Sequence, residues 1–213
     1  MRELPNTADG KTNIGIIVLA AGASIRMGEP KQLLAYEGHS LLRRATEAAL
    51  ASLCHPVIVV LGSQAERVKS EVADCHSIIT VENKLWAEGM GSSISCGLKT
   101  LELATENKVA ALVLMPCDQP FVSSLVINEL VAAYHRDNAA IVASEYNETL
   151  GVPALFSRRL FPELIALRGA SGAKQVITRH AHIASRIPFA RGILDIDTPT
   201  DYARLRDLPG SDG

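Results

Sequence analysis

Ile14-Gly15-Ile16-Ile17-Val18-Leu19-Ala20, running into Ala21-Gly22-Ala23-Ser24-Ile25-Arg26-Met27-Gly28-Glu29-Pro30-Lys31, is the stretch that decides the fold. An unbroken apolar run without alternation predicts a strand buried on both faces. The small residues after it predict a loop whose backbone closes around a bound group. Successive N–H groups of such a loop suit the oxygens of a polyphosphate. Arg26 adds a planar forked cation and Lys31 a mobile point charge. An ordinary turn with two solvated cations is the competing reading. The order of strand, small loop, Arg and Pro-Lys weighs against it.

Outward from this stretch, strands and helices alternate. Pro56–Leu61 (PVIVVL) and Val109–Met115 (VAALVLM) are further buried runs, with weaker strands at Ser77–Val81, Ala139–Ala143 and Ile193–Asp197. Helical spacing appears over Ser40–Ala51, from the Gly-rich Gly89–Ser93 to about Thr105, and over Ser123–Arg136, Phe161–Leu167 and Gly172–Arg179. Ser63 and Glu66 have capping-box spacing, and Thr198-Pro199 reads as N-cap and first turn of a last helix. The polar, Gly-bounded Ser144–Gly151 reads as a substrate loop. Strands separated by helices imply βαβ crossovers, hence an α/β fold with one doubly wound, mostly parallel, Rossmann-like sheet and helices on both faces. The expected division is a domain over 14–207 with flexible tails at 1–13 and 208–213.

The chain has 213 residues, 47% apolar and only 4% aromatic, so aliphatic side chains must fill the core. With 21 basic against 23 acidic residues, it offers no electrostatic case for nucleic acid or a membrane. Cys54, Cys75, Cys96 and Cys117 lack CxxC spacing and read as reduced thiols. The polar Met1–Asn13 lacks the apolar run of a signal peptide, and no stretch approaches a membrane span, so a cytoplasmic protein is expected.

In an open parallel sheet ligands bind beyond the carboxyl ends of strands. Asp118 directly follows the most apolar strand, where a carboxylate can hold Mg²⁺ against phosphate oxygens; a plain turn aspartate is the alternative. His180 and His182 fall short of the ligands that zinc needs. The first loop carries neither GxxxxGK[ST] nor GxGxxG, so neither a P-loop kinase nor a dinucleotide oxidoreductase is supported.

Leu19–Lys31 does resemble the signature LA[AG]GxSxRMGxxK of the MobA-like nucleotidyltransferases, and among them the molybdenum cofactor cytidylyltransferases and their purine-catabolism relatives. GMGSSISCGL at Gly89–Leu98, CDQP at Cys117–Pro120, GVPALF at Gly151–Phe156, GASGAK at Gly169–Lys174 and DIDTPTDY at Asp195–Tyr202 extend the likeness in order. The resemblance implies a Mg²⁺-dependent transfer of CMP from CTP to the terminal phosphate of molybdopterin, with a molybdoenzyme as possible client. It implies nucleotide contacts from Leu19, Ala20, Ala21, Gly22, Ser24, Arg26, Lys31 and Ser93, with Arg26, Lys31 and Asp118 in catalysis. The metal ligands would be Asp118 and Asp197, with Asp195 as alternative to Asp197, since a strand would turn both to one face. Ser93 also reads as an N-cap, a place Ser92 would fill equally well. Relatives commonly carry an acid where Ala170 stands and a histidine where Val152 stands; Lys174 is a candidate for an anionic acceptor. Guanylyltransferases usually read Gly-Gly where this chain reads Ala21-Gly22, which implies a narrower base pocket and a preference for CTP. A dianionic phosphate acceptor needs no general base, only orientation and neutralisation. The rival readings are guanylyl or sugar-phosphate transfer on the same scaffold, and a non-catalytic cofactor carrier.

Overall fold

The first strand forms as read and lies inside a seven-stranded sheet in the computed structural model, which describes residues 13–208. In chain order the elements are β1 (Ile14–Ala20), β2 (Ala35–Tyr36), β3 (His39–Ser40), α1 (Leu41–Leu50), β4 (Val57–Leu61), α2 (Ala65–Lys69), β5 (Ile78–Glu82), α3 (Met90–Ala104), β6 (Ala111–Pro116), α4 (Ser124–Asp137), β7 (Ile141–Tyr146), β8 (Thr149–Ser157), α5 (Phe161–Ile165), α6 (Ala173–Arg179), β9 (Ser185–Pro188) and α7 (Pro199–Asp207). The sheet order is β5-β4-β1-β6-β8-β7-β9, and β8 alone runs against its neighbours. The expected tails lie outside the described residues, apart from residues 13 and 208.

Two-residue periodicity divides the core. Ile14, Ile16, Val18 and Ala20 face α1, α2 and α4, while Ile17 faces α3, α5 and α6. Leu42, Ala45, Ile127 and Leu130 close the first face; Ile94, Leu98, Leu101, Phe161 and Val176 close the second. Each Val, Leu, Ile or Phe side chain among these contributes about 1.5–3 kcal/mol on burial. Gly97 lets α3 lie close on the sheet, because a Cβ there would come within 2.7 Å of Val60 and 2.8 Å of Ile17. The chain moves from β1 to β4 on one side and reaches β6 on the other. The carboxyl ends of β1 and β6 therefore form the topological switch point, the natural crevice of such a sheet.

Four local readings are corrected. Ser144–Gly151 is no loop: β7 and β8 pair antiparallel through it, with a turn at Asn147 and Glu148, both at positive φ. Ile193–Asp197 is no strand; Ala190–Ile193 is a 3₁₀ turn and irregular backbone follows. Ser63 and Glu66 do not cap α2, whose N-cap is Gln64 in left-handed conformation. Gly89, at φ 109°, caps α3, which leaves Ser92 and Ser93 inside the helix. No side chain fits at 89, since a Cβ would lie 2.2 Å from the Gly169 carbonyl oxygen. The Thr198 reading holds, and Asp201 completes a capping box of the kind worth about 1 kcal/mol.

Candidate active site at the sheet's switch point

The loop after β1 turns its carbonyls into the protein. Leu19 O accepts from Cys117 N at 3.0 Å and Ala21 O from Ser63 N at 3.1 Å. Ala20 O and Gly22 O both accept from Gln32 Nε2, at 2.9 and 2.8 Å. Ser24, at φ 55°, accepts at its carbonyl from Met27 N and Gly28 N. The N–H groups of Gly22, Ala23, Ser24, Ile25 and Arg26 find no acceptor among the described residues. A left-handed residue inside a run of outward N–H groups is the geometry of an anion nest. Met27 anchors the far side of the loop in a small core with Leu34, Tyr36, Leu41, Ile196 and Leu205.

Lys31 ends this loop and is mostly buried, its side chain 16% exposed. Its Nζ is ion-paired with Asp118 Oδ2 and with Asp197 Oδ1, the latter at 2.9 Å. Burial works against the ammonium, but the two carboxylates outweigh it and hold its pKa above the usual lysine range. Arg26 is exposed and donates to the other oxygen of Asp197 at 2.8 Å. Burial would raise the carboxyl of Asp197, yet Lys31 and Arg26 keep it below its ordinary range.

Asp118 is brought to Asp197 by backbone as well as by charge. Ile196 N donates to Asp118 O at 3.1 Å, and the Ile196 side chain is fully buried. Asp195 and Asp197 therefore flank a pinned residue. Asp197 meets the two cations, whereas Asp195 lies beside Gln119. Burial and then the negative charge of Asp118 push the carboxyl of Asp195 up to about 6. Asp118 Oδ1 is buried without a hydrogen-bond partner. Among the described residues no group of three or more His, Cys, Asp and Glu side chains is arranged to hold a metal. Mg²⁺ requires fewer, one or two carboxylates with the rest from substrate and water. The orphaned oxygen of Asp118 and the nearby carboxylate of Asp197 fit that donor set.

Three hollows meet at Lys31, which lines all of them. One of about 230 Å³ runs along the N–H groups of the loop. A second, of about 320 Å³, lies between Ala21, Trp86 and Ser93. The third, of about 400 Å³, passes Asp118 and Asp195 to Tyr146, Val152 and Lys174. Ser93 is buried inside α3, lines the second hollow and accepts from Asn83 Nδ2 at 3.0 Å, so its hydroxyl is no helix cap. Tyr146 fits because residue 151 is glycine: a Cβ there would stand 1.9 Å from the phenolic oxygen.

Sequence reading missed Gln32, Asn83, Trp86, Gln119 and Tyr146. The first two are neutral amides on turns with no local mark, and Tyr146 lies in the polar segment Ser144–Gly151, whose composition reads as a loop. Ala170 is exposed, and its backbone N lies against Gly89. His180 ends α6 against Glu163 at 2.8 Å, away from these hollows. Among the described residues the four cysteines are unpaired, and no helix is long and apolar enough to cross a membrane.

A loop of unpaired N–H groups beside a lysine and two carboxylates, at the switch point of a doubly wound sheet, has the make-up of the nucleotide-dependent transferase class. Residues 16–183 match the MobA-like NTP transferase domain, and the chain belongs to that family; it is a nucleotidyltransferase by membership. It is 37% identical to nicotine blue oxidoreductase of Paenarthrobacter nicotinovorans, over 89% of this chain and 94% of that one. It is 26% identical to the molybdenum cofactor cytidylyltransferase of Escherichia coli K12, over 91% of this chain and 96% of that one. A crystal structure of Rv0371c from Mycobacterium tuberculosis in complex with manganese superposes with TM-score 0.73 at 27% identity, covering 93% of this chain and all of that one.

Proposed function

We propose that this protein transfers CMP from CTP to the terminal phosphate of molybdopterin, with Mg²⁺ as the required cation. One observation carries the reading most: the N–H-lined loop ends on a buried lysine shared by two carboxylates. An acceptor phosphate oxygen attacks the α-phosphorus, a new P–O bond forms, the α–β anhydride bond breaks, and pyrophosphate leaves. The backbone around Leu19, Ala20, Ala21, Gly22 and Ser24, with Arg26, binds the triphosphate. Asp118 and Asp197 would hold the cation, which supplies charge neutralisation when bound. Lys31, released from its ion pairs, meets the charge that moves toward the leaving group. The hollow between Ala21, Trp86 and Ser93 takes the base and ribose. The cleft toward Tyr146, Val152 and Lys174 takes the acceptor, whose phosphate is already anionic and needs only placement.

The manganese complex of the mycobacterial relative supports a divalent cation on this scaffold. The Paenarthrobacter relative, an oxidoreductase, favours a second reading, oxidation or reduction of a small molecule, for which NADPH serves as the probe donor. The first loop here lacks GxGxxG, and the groups gathered at Lys31 suit phosphoryl chemistry, which favours transfer. Thermal shift with CTP, GTP, ATP, UTP and NADPH, each with and without Mg²⁺, separates the two readings. CTP with Mg²⁺ should raise the midpoint most; a ligand at 100 times its Kd adds about 2.7 kcal/mol. Stabilisation by NADPH alone, with no pyrophosphate released from any triphosphate, would sink the transferase reading.

Base choice has its own test. The Ala21 methyl is buried and lies toward Gly62 and Trp86 at the back of the base hollow. Ala21→Gly should lower the ratio of kcat/KM for CTP over GTP by about 10-fold, since one methyl of shape discriminates by roughly 1–3 kcal/mol. An unchanged ratio would remove Ala21 as selector, and a wild type that prefers GTP would overturn the cytidylyl assignment.

A further inference from the structure

The outward N–H groups of the loop depend on something that holds its carbonyls inward, and one side chain does this twice. Gln32 stands next to Lys31 in the 3₁₀ turn Lys31–Leu33 and is 1% exposed. Its amide nitrogen has two hydrogens, and both find loop carbonyls, Ala20 O at 2.9 Å and Gly22 O at 2.8 Å. Its Oε1 accepts from Ser24 Oγ at 3.4 Å, and that hydroxyl accepts from Lys31 N at 3.0 Å. Every hydrogen-bonding atom of the amide is therefore engaged with the loop.

Peptide planarity gives this arrangement its consequence. The carbonyl of Gly22 and the N–H of Ala23 belong to one rigid unit, so fixing the first inward fixes the second on the opposite side. The same holds for the carbonyl of Ala20 and the N–H of Ala21. Freed of Gln32, either unit can turn its oxygen toward solvent and relieve a buried acceptor. A flipped unit at Gly22–Ala23 presents a carbonyl dipole where a phosphate oxygen is to sit. Small residues there leave such a flip sterically open, because Gly22 has nothing within 4 Å of a Cβ position.

We propose that Gln32 is the positioning residue that sets the polarity of the polyphosphate loop: its double donation to Ala20 and Gly22 keeps N–H groups, not carbonyls, facing the anion. The role needs a neutral double donor at this length. A carboxylate would face two carbonyl oxygens, and a thioether would leave both without a donor. The inference rests on the proposed reading only in taking a polyphosphate as the occupant of the loop.

Inorganic triphosphate is the probe, titrated calorimetrically into wild type, Gln32→Met and Gln32→Glu between pH 5.5 and 8, with melting midpoints measured alongside. Each variant's Kd is divided by that of wild type at the same pH, which removes protonation of the anion itself. Gln32→Met should weaken binding at least 10-fold at every pH. Gln32→Glu should weaken it further at pH 8 and recover toward wild type near pH 5.5. Burial against carbonyls raises the introduced carboxyl, and once protonated it can donate one bond. Wild-type affinity in folded variants, or a loss in Gln32→Glu that does not change with pH, would overturn the proposal. So would failure of Gln32→Glu to fold at pH 5.5, since the side chain would then act on overall stability. A wild type that binds triphosphate but no nucleotide refutes the proposed function and leaves the role of Gln32 standing. A wild type that does not bind triphosphate refutes both.

Discussion

Asp118→Asn is expected to lower turnover by more than about 10³-fold while the protein stays folded. Removing one group that stabilises transition-state charge typically costs about 10²–10³ in rate. Asp118 performs two tasks: Oδ2 pairs with Lys31, and the orphaned Oδ1 is the buried acceptor that a hard cation would satisfy. An amide is a neutral and poorer ligand for that cation, and its N–H₂ group would face the Lys31 ammonium or the metal site. Folding survives because Lys31 keeps Asp197, and the Ile196 N to Asp118 O bond is made by backbone. The substitution also takes a negative charge away from Asp195, whose carboxyl is raised by burial and by Asp118. Pyrophosphate release measured against Mg²⁺ concentration decides the matter. Near wild-type turnover at saturating Mg²⁺ would remove Asp118 from the site, whereas an unfolded variant would show its role to be structural.

Lys31→Ala should lower kcat by about 10²–10³-fold and raise the KM for nucleotide far less. The ammonium would meet charge that grows as the anhydride bond breaks, an interaction stronger in the transition state than in the ground state. Lys31 is held by Asp118 and Asp197 at the junction of the three hollows. A second consequence can be measured without turnover. Loss of the lysine leaves Asp118 and Asp197 without their shared cation, so Mg²⁺ titrated into the nucleotide-free variant should bind more tightly than to wild type. A rise in KM alone would make Lys31 a uniform binder and refute its catalytic role. Unchanged Mg²⁺ affinity would separate Asp118 and Asp197 from the metal site.

The legible parts of this fold are those where local pattern and tertiary environment agree. β1, β4 and β6 are apolar on both faces, so an unbroken aliphatic run identified each of them regardless of neighbours. α7 was legible because Thr198 and Pro199 serve its first turn locally. β8 and β9 were missed for the opposite reason. β8 follows a polar turn and β9 is four residues long, and both are strands because β6 and β7 supply their partners. Asp195 and Asp197 were expected on one strand face; the segment instead takes its course from Ile196, buried against Met27 and Tyr36.

The site divides along the same line. Sequence by itself determined the family, the α/β class, and the presence of Arg26, Lys31, Asp118 and Asp197 as charged groups beside a small-residue loop. Residue type and order are enough for these, because an unbroken apolar run reports burial on both faces and small residues followed by Arg and Lys let a backbone approach an anion closely. Tertiary structure alone decided that Lys31 is shared between two acids 79 residues apart (118 and 197), that Asp197 rather than Asp195 meets the cations, and that Gln32 turns the loop's carbonyls inward. Those are statements about which polar atoms are desolvated together. Desolvation depends on the sheet, on α7 and on the Ile196 anchor being in place at once, and no window of sequence contains all three.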